Sequence, residues 1–278
     1  MTHRLKEVVK QTLGEDGVSF IENGDRPSIS FKEQMDAWLA IDNISGNARY
    51  AMKLLGINPG RRRGKKTNGA KIIDGMENII VPGYASRNST FSSMREVLED
   101  NGFQSHAVNA YEDLRFRRPL TTFQSADLLK RRIEDSPADI VNLICHSMGG
   151  IIALIACENL REEDRERIGR IVTLGTPWNG TTMAKLLALV KQGDGALRDL
   201  SPQSYVLDRV VPQVGNDIKR KTVSIGSAHD VIVPWESSIL DGSLLNAVLR
   251  RGKAVTHANF LHEDHVAQTV AEVLKEAA

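Results

Sequence analysis

The run from Ile140 to Gly150, I-V-N-L-I-C-H-S-M-G-G, constrains the fold of this chain more than any other stretch. Ile140, Val141, Leu143 and Ile144 make a short apolar, mostly β-branched segment, the composition of a strand covered on both faces. Ser147 follows at a tight turn, and the residues from Gly149 to Ala156 then read as a small-residue, apolar helix. A strand that turns at once into a helix around one serine lifts that hydroxyl clear of the sheet edge. The helix N-terminus behind it offers backbone N–H groups and positive dipole to negative charge developing there.

The same alternation runs through most of the chain. Strands are expected at 78–81, 104–109, 139–146, 170–174, 222–225 and 253–255, and helices at 91–101, 125–135, 148–160, 181–190 and 265–276. Strand–helix alternation at this spacing predicts an α/β fold, a mainly parallel central sheet with helices on both faces. In such sheets function gathers in the loops beyond the carboxyl ends of the strands. Residues 1–75 differ. They lack strong strand runs, carry helical patterns at 31–41 and 47–55, then break at 56–60 before the basic run Arg61–Lys66. The expected organisation is a mainly helical N-terminal extension with a basic loop over 1–75, and a catalytic-size α/β domain over 76–278.

Composition narrows the partners. The 278 residues are 41% hydrophobic and 26% charged, with a net charge of +1 that gives no global attraction to nucleic acid or anionic membranes. Six positive charges fall within residues 61–71, but without interleaved aromatics they read as a solvated loop. No stretch approaches the roughly 20 apolar residues of a membrane span, so membrane contact is at most peripheral. The N-terminus carries charges and no leader-like apolar core, and the two cysteines, Cys145 and Cys157, sit in apolar surroundings. Buried thiols and no leader predict a cytoplasmic protein.

The segment from Cys145 to Gly149 resembles the G-x-S-x-G elbow of the α/β-hydrolases, particularly the H-S-M-G-G form of the lipase and esterase branch, with Cys145 in place of the first glycine. L-G-T-P-W-N-G-T from Leu174 to Thr181, and L-R-D-L-S-P-Q-S from Leu197 to Ser204, resemble two further segments of that branch, and the similarity spans residues 78 to 275. The resemblance implies an α/β-hydrolase fold with a small helical cap inserted at about 178–220. It implies Ser147 as nucleophile. It also makes the loop I-I-V-P-G-Y-A, from Ile79 to Ala85, an oxyanion loop, with Pro82 where histidine is more usual. The backbone N–H groups of Tyr84 and Met148 are then the oxyanion donors.

The carboxylate and base follow in chain order. Asp230 lies in G-S-A-H-D-V-I-V-P, after the strand at 222–225, where the family places its acid; Glu236 and Asp241 lie beyond Pro234. Of seven histidines, His3 is terminal and His106 falls in an expected strand before the serine. His146 and His229 adjoin Ser147 and Asp230, and neighbours on a sharp turn point apart. His257, His262 and His265 remain, and the resemblance selects His257, which follows the last strand and precedes the C-terminal helix. Ser147, Asp230, His257 is the triad order of the family. His262 and His265 are three apart at a helix start with no third ligand, so no metal and no cofactor are implied.

Met183, Leu186, Leu187 and Val190 fall at helical spacing on one apolar stripe, either a lid and acyl-chain wall over Ser147 or a helix packed on the core. Gly193 and Gly195 flank Asp194 as a candidate hinge, and Arg115, Arg117 and Arg118 could meet an anionic head group. The expected function is a serine ester hydrolase of lipase or esterase type, working through an acyl-enzyme on Ser147 and taking an acyl ester or lipid as small-molecule substrate. A phospholipase or thioesterase with the same triad, and a non-catalytic binding protein on a hydrolase scaffold, are the alternatives.

Overall fold

The structure, a computed structural model, describes residues 2–15, 17–23, 73–84, 86, 88–108, 112–113, 118–190, 194–250 and 255–277. The helical patterns at 31–41 and 47–55, the run Arg61–Lys66, Arg115, Arg117 and Gly193 lie outside these residues, as do the side chains of Arg118, Leu186 and Val190.

In chain order the elements are α1 (Thr2–Leu13), β1 (Val18–Ile21), β2 (Met76–Val81), α2 (Ser92–Asp100), β3 (Ser105–Ala107), β4 (Glu112–Asp113) and β5 (Arg118–Pro119). Then come α3 (Thr122–Glu134), β6 (Ile140–His146), α4 (Met148–Glu158), α5 (Glu162–Glu166) and β7 (Ile168–Leu174). The chain continues through α6 (Thr182–Val190), α7 (Gly195–Asp199), α8 (Asn216–Lys219), β8 (Thr222–Ser227), β9 (Leu245–Leu249) and α9 (Asp264–Lys275).

Among the described residues, seven strands form one sheet in the order β1-β9-β8-β7-β6-β2-β3, with β4 and β5 as a separate small ladder. All neighbours in the sheet are parallel except β1, which runs antiparallel to β9. The parallel strands therefore present their carboxyl ends along one edge, and the loops after β2, β6, β8 and β9 converge there.

Alternation along the strands feeds two cores. Leu143 and Cys145 face the layer of α3 and α4, while Ile144, Val172 and Val223 face the layer of α1, α2 and α9. Every residue of α4 from Met148 to Cys157 is buried, the pattern of a helix enclosed on all sides. Asn78 and Asn142 are polar side chains buried in the sheet, and each meets a partner there. Asn142 Nδ2 donates to Asn78 Oδ1 at 3.0 Å, and Asn142 Oδ1 accepts the Arg170 N–H at 2.8 Å. The second bond sits where the β6–β7 register shifts between Val141 and Leu143, so the asparagine serves a backbone donor at the irregularity.

Two parts of the sheet differ from the sequence expectation. The last parallel strand is Leu245–Leu249 and not 253–255: Val255 is in no strand, and 253 and 254 lie outside the described residues. L-N-A-V-L is a short apolar run with nothing local to separate strand from helix. Nor is the N-terminus without strands, for β1 adds an antiparallel edge and α1 packs against α9. Four half-buried residues at an edge leave a weak periodic signal. Among the described residues, no helix is long and apolar enough to cross a membrane.

Candidate active site

Ser147 stands between β6 and α4 with φ 54° and ψ −126°, a left-side backbone conformation that a non-glycine residue adopts only when its surroundings impose it. Three bonds fix it. Its N–H donates to the Leu174 carbonyl at 2.9 Å, and its own carbonyl accepts the Thr176 hydroxyl at 2.8 Å and the Gly150 N–H at 3.1 Å. Holding a serine there costs about 1–3 kcal/mol, which the flanking strand and helix offset.

Close backbone approach explains the glycines of the motif. A Cβ on Gly149 would lie 2.2 Å from the Val81 carbonyl oxygen, so the start of α4 must pass directly over the end of β2. A Cβ on Gly83 would lie 2.8 Å from the Ser147 Cβ, which puts the loop after β2 against the elbow. Cys145, standing where the family motif has its first glycine, is fully buried and packs into the α3–α4 core. Burial raises its thiol well above the ordinary range, and pushes the Cys157 thiol up to about 12, so neither is a nucleophile at neutral pH.

On the same edge, Asp230 follows β8. Its Oδ1 accepts the N–H groups of Ile232 and Val233, each at 2.9 Å, so the loop folds back on the carboxylate. Its Oδ2 lies 2.6 Å from His257 Nδ1, with both side chains fully buried. Nδ1–H therefore donates to the carboxylate, and Nε2 is left as the nitrogen that can accept a proton. The structure thus joins Asp230 and His257 in one buried pair, and the sheet carries Ser147 to the same edge. His262 stands instead just before α9 and His265 in its first turn, where His265 Nδ1 lies 3.8 Å from Glu263. Among the described residues, no three His, Cys, Asp or Glu side chains converge as a metal site requires.

Tyr84 is buried beside the elbow, and Met148 is the first residue of α4, where backbone N–H groups have no intrahelical acceptor. Met183 and Leu187 are half-buried and pack against the core cluster that also contains Tyr84 and Met148.

Three further residues serve the site, none of them singled out by sequence. Thr176 holds the Ser147 carbonyl, and the Thr181 hydroxyl donates to the Ile232 carbonyl, inside the loop that wraps Asp230. The L-G-T-P-W-N-G-T segment therefore braces the Ser147 turn and the Asp230 loop together, a role its composition does not display. His146, discounted as a base, donates from Nε2 to the His257 carbonyl at 2.9 Å. Its one sequence signal was adjacency to Ser147.

A mostly parallel sheet with helices on both faces, a strained serine elbow and a buried His–Asp pair at the strand carboxyl ends define the α/β-hydrolase fold. Residues 91–273 match the family model of the PGAP1-like alpha/beta domain, and the chain belongs to that family. The fold recurs in solved structures of low identity. A metagenomic carboxyl esterase is 15% identical with a TM-score of 0.57, over 80% of this chain and 81% of that one. A lipase-esterase related protein from Clostridium acetobutylicum is 14% identical with a TM-score of 0.52, over 73% and 95%. A monoacylglycerol lipase from Paleococcus ferrophilus is 14% identical with a TM-score of 0.51, over 75% and 97%. A search of curated proteins finds no match.

Proposed function

We propose that the chain is a serine ester hydrolase that cleaves carboxylic esters of acyl or lipid type through an acyl-enzyme on Ser147. The observation that carries this reading is the buried His257 Nδ1–Asp230 Oδ2 bond of 2.6 Å, formed at the edge that also bears the strained Ser147. A carboxylate bound to Nδ1 fixes the tautomer whose Nε2 is a base, and stabilises the imidazolium that forms when it acts.

The steps follow from that arrangement. Ser147 Oγ attacks the acyl carbonyl while its proton passes to His257 Nε2. The tetrahedral oxyanion is held by the N–H groups of Tyr84 and Met148, aided by the positive end of α4. Collapse breaks the acyl carbon–oxygen bond, and the imidazolium returns the proton to the leaving alcohol. Water then enters by the same general-base route, releasing the acid and restoring Ser147. Met183 and Leu187 of α6 form the wall nearest the acyl group. The lipase and esterase names among the structural neighbours agree with an ester substrate.

The test is turnover of a short p-nitrophenyl ester by Ser147→Ala. Activity should fall by about 10³-fold or more, with far-UV and near-UV circular dichroism unchanged. A folded variant that keeps its turnover overturns the reading. Parallel assays on triglyceride, phospholipid and acyl-thioester substrates then rank the substrate class.

A further inference from the structure

Tyr84 and Asp194 are 110 residues apart, yet the Tyr84 hydroxyl donates to Asp194 Oδ2 at 2.6 Å, a separation typical of a charge-assisted O–H···O⁻ bond. The other carboxylate oxygen, Oδ1, accepts the N–H groups of Ala196 at 3.1 Å and Leu197 at 3.4 Å, so Asp194 is also the N-cap of α7. Helix α7 packs against α6 of the cap, and Ala196 and Leu197 join Tyr84 and Met148 in one core cluster. One carboxylate thus caps the start of α7 on one oxygen and grips the oxyanion loop on the other.

We propose that Asp194 is a positioning residue for the oxyanion hole, holding the Tyr84 ring and, through it, the Tyr84 backbone N–H, while α7 is seated. This inference rests on the assignment of Ser147 and Tyr84 given above. The mechanics are those of a strut with two fixed ends. At one end Gly83 lies against the Ser147 Cβ, and at the other the hydroxyl is pinned to Asp194. With both ends held, the peptide between them keeps one orientation, which an oxyanion donor needs before the charge develops. If α7 moves away from the core, Oδ2 leaves with it and the Tyr84 peptide loses its outer anchor. Seating of the cap and competence of the oxyanion hole are thereby one event, and substrates whose acyl group holds the cap down would meet the better-formed hole.

The two roles of Asp194 can be separated by side-chain length. Asp194→Ser keeps an N-cap oxygen but is too short to reach Tyr84. Asp194→Asn caps with its carbonyl oxygen and turns an N–H toward the tyrosine oxygen, while Tyr84→Phe removes the hydroxyl alone. The assay is steady-state hydrolysis of p-nitrophenyl esters, with melting temperature and fluorophosphonate labelling of Ser147 measured on each protein. Tyr84→Phe and Asp194→Ser should each lower kcat about ten-fold, a part of the 10²–10³ lost when a whole oxyanion donor is removed. KM should stay within about two-fold. The double variant should be no slower than either single one, because both break the same bond, and Asp194→Asn should keep most of the wild-type kcat.

Losses that multiply in the double variant overturn the coupling. So does wild-type kcat in both single variants, or a fall in melting temperature with kcat unchanged. A wild-type protein that labels and turns over while the variants match it sinks the coupling alone. If wild-type Ser147 neither labels nor supports turnover, the hydrolase reading fails and the coupling fails with it.

Discussion

His146 Nε2 donates to the backbone carbonyl of His257 at 2.9 Å, and the two imidazole rings stand 4.7 Å apart, tilted by 46°. The residue before the proposed nucleophile therefore carries the loop of the proposed base. Because a carbonyl only accepts, the bond fixes the His146 proton on Nε2. Ser147 and His257 come from distant parts of the chain, and this bond links the side chain next to Ser147 to the backbone of His257.

Removing that donor should disturb catalysis more than folding. His146→Leu removes a donor to a buried carbonyl, a bond worth about 0.5–1.5 kcal/mol net, and frees the base loop to shift. A misplacement near 1 Å can cost about 10²-fold in rate, so kcat should drop by an order of magnitude or more with KM little changed. His146→Gln supplies an amide N–H at similar reach and should recover most of the loss. Equal activity in the leucine and glutamine variants would show that the bond does not position His257.

Asp230 is tested by a substitution that keeps its shape. Asp230→Asn can still accept the N–H groups of Ile232 and Val233 through its carbonyl oxygen, so the loop should stand. Its amide group then faces His257 Nδ1, which favours the wrong tautomer and removes the charge that stabilises the imidazolium. Esterase kcat should fall by about 10³–10⁴-fold, while thermal unfolding changes by only a few degrees. A large loss of stability with activity per folded molecule unchanged would count against Asp230 as the acid.

The architecture was legible where local rules and tertiary demands agree. β6 from Ile140 to His146 is buried on both faces, so its composition alone announces it. α4 follows at once because Gly149, small enough to pass β2, and Gly150, set against Thr176, sit in an otherwise strongly apolar helix. Strand β9 was not legible, since Leu245–Leu249 owes its strand state to β8 on one side and β1 on the other. That Ser147 stands on a strand-to-helix turn, and that Asp230 and His257 lie in loops at the same edge of the sheet, was legible through chain order and loop placement. The bonds of Thr176, Thr181, His146 and Asp194 were not, because each reaches a residue distant in the chain that only folding brings near. Nothing in their composition or spacing records such a bond.

Gly149 offers a steric test of the elbow. A Cβ there would meet the Val81 carbonyl at 2.2 Å, a backbone atom that cannot swing aside as a side chain can. Gly149→Ala must push α4 away from β2, moving Met148 and Ser147 together. Overpacking of this kind costs about 3 kcal/mol or more when backbone has to yield. Urea unfolding should show that loss, and labelling of Ser147 by a fluorophosphonate should slow sharply in the folded fraction. Wild-type stability and labelling in Gly149→Ala would mean that helix and strand are not in the contact described.

The buried thiols give the fold a defined weakness at alkaline pH. Burial holds Cys145 well above the ordinary thiol range and takes Cys157 from 9.0 to about 12, the nearby Lys221 and Arg165 pulling it only partly back. In the unfolded chain the same thiols ionise from about pH 8.5. Above that point the native state binds more protons than the unfolded one, so stability falls as pH rises. The effect is absent at neutral pH, begins near the unfolded thiol value and grows toward the native value of Cys157. Urea midpoints measured from pH 7 to pH 10 should therefore decline. Cys157→Ala should decline less steeply, which separates the thiol from lysines titrating in the same range. In the native protein at pH 8 a disulfide reagent should find no fast thiol, and in urea it should find two, the full count of the sequence. A fast-reacting thiol in the native state would place one of these cysteines at the surface, and the packing argued for Cys145 beside the elbow would then be wrong.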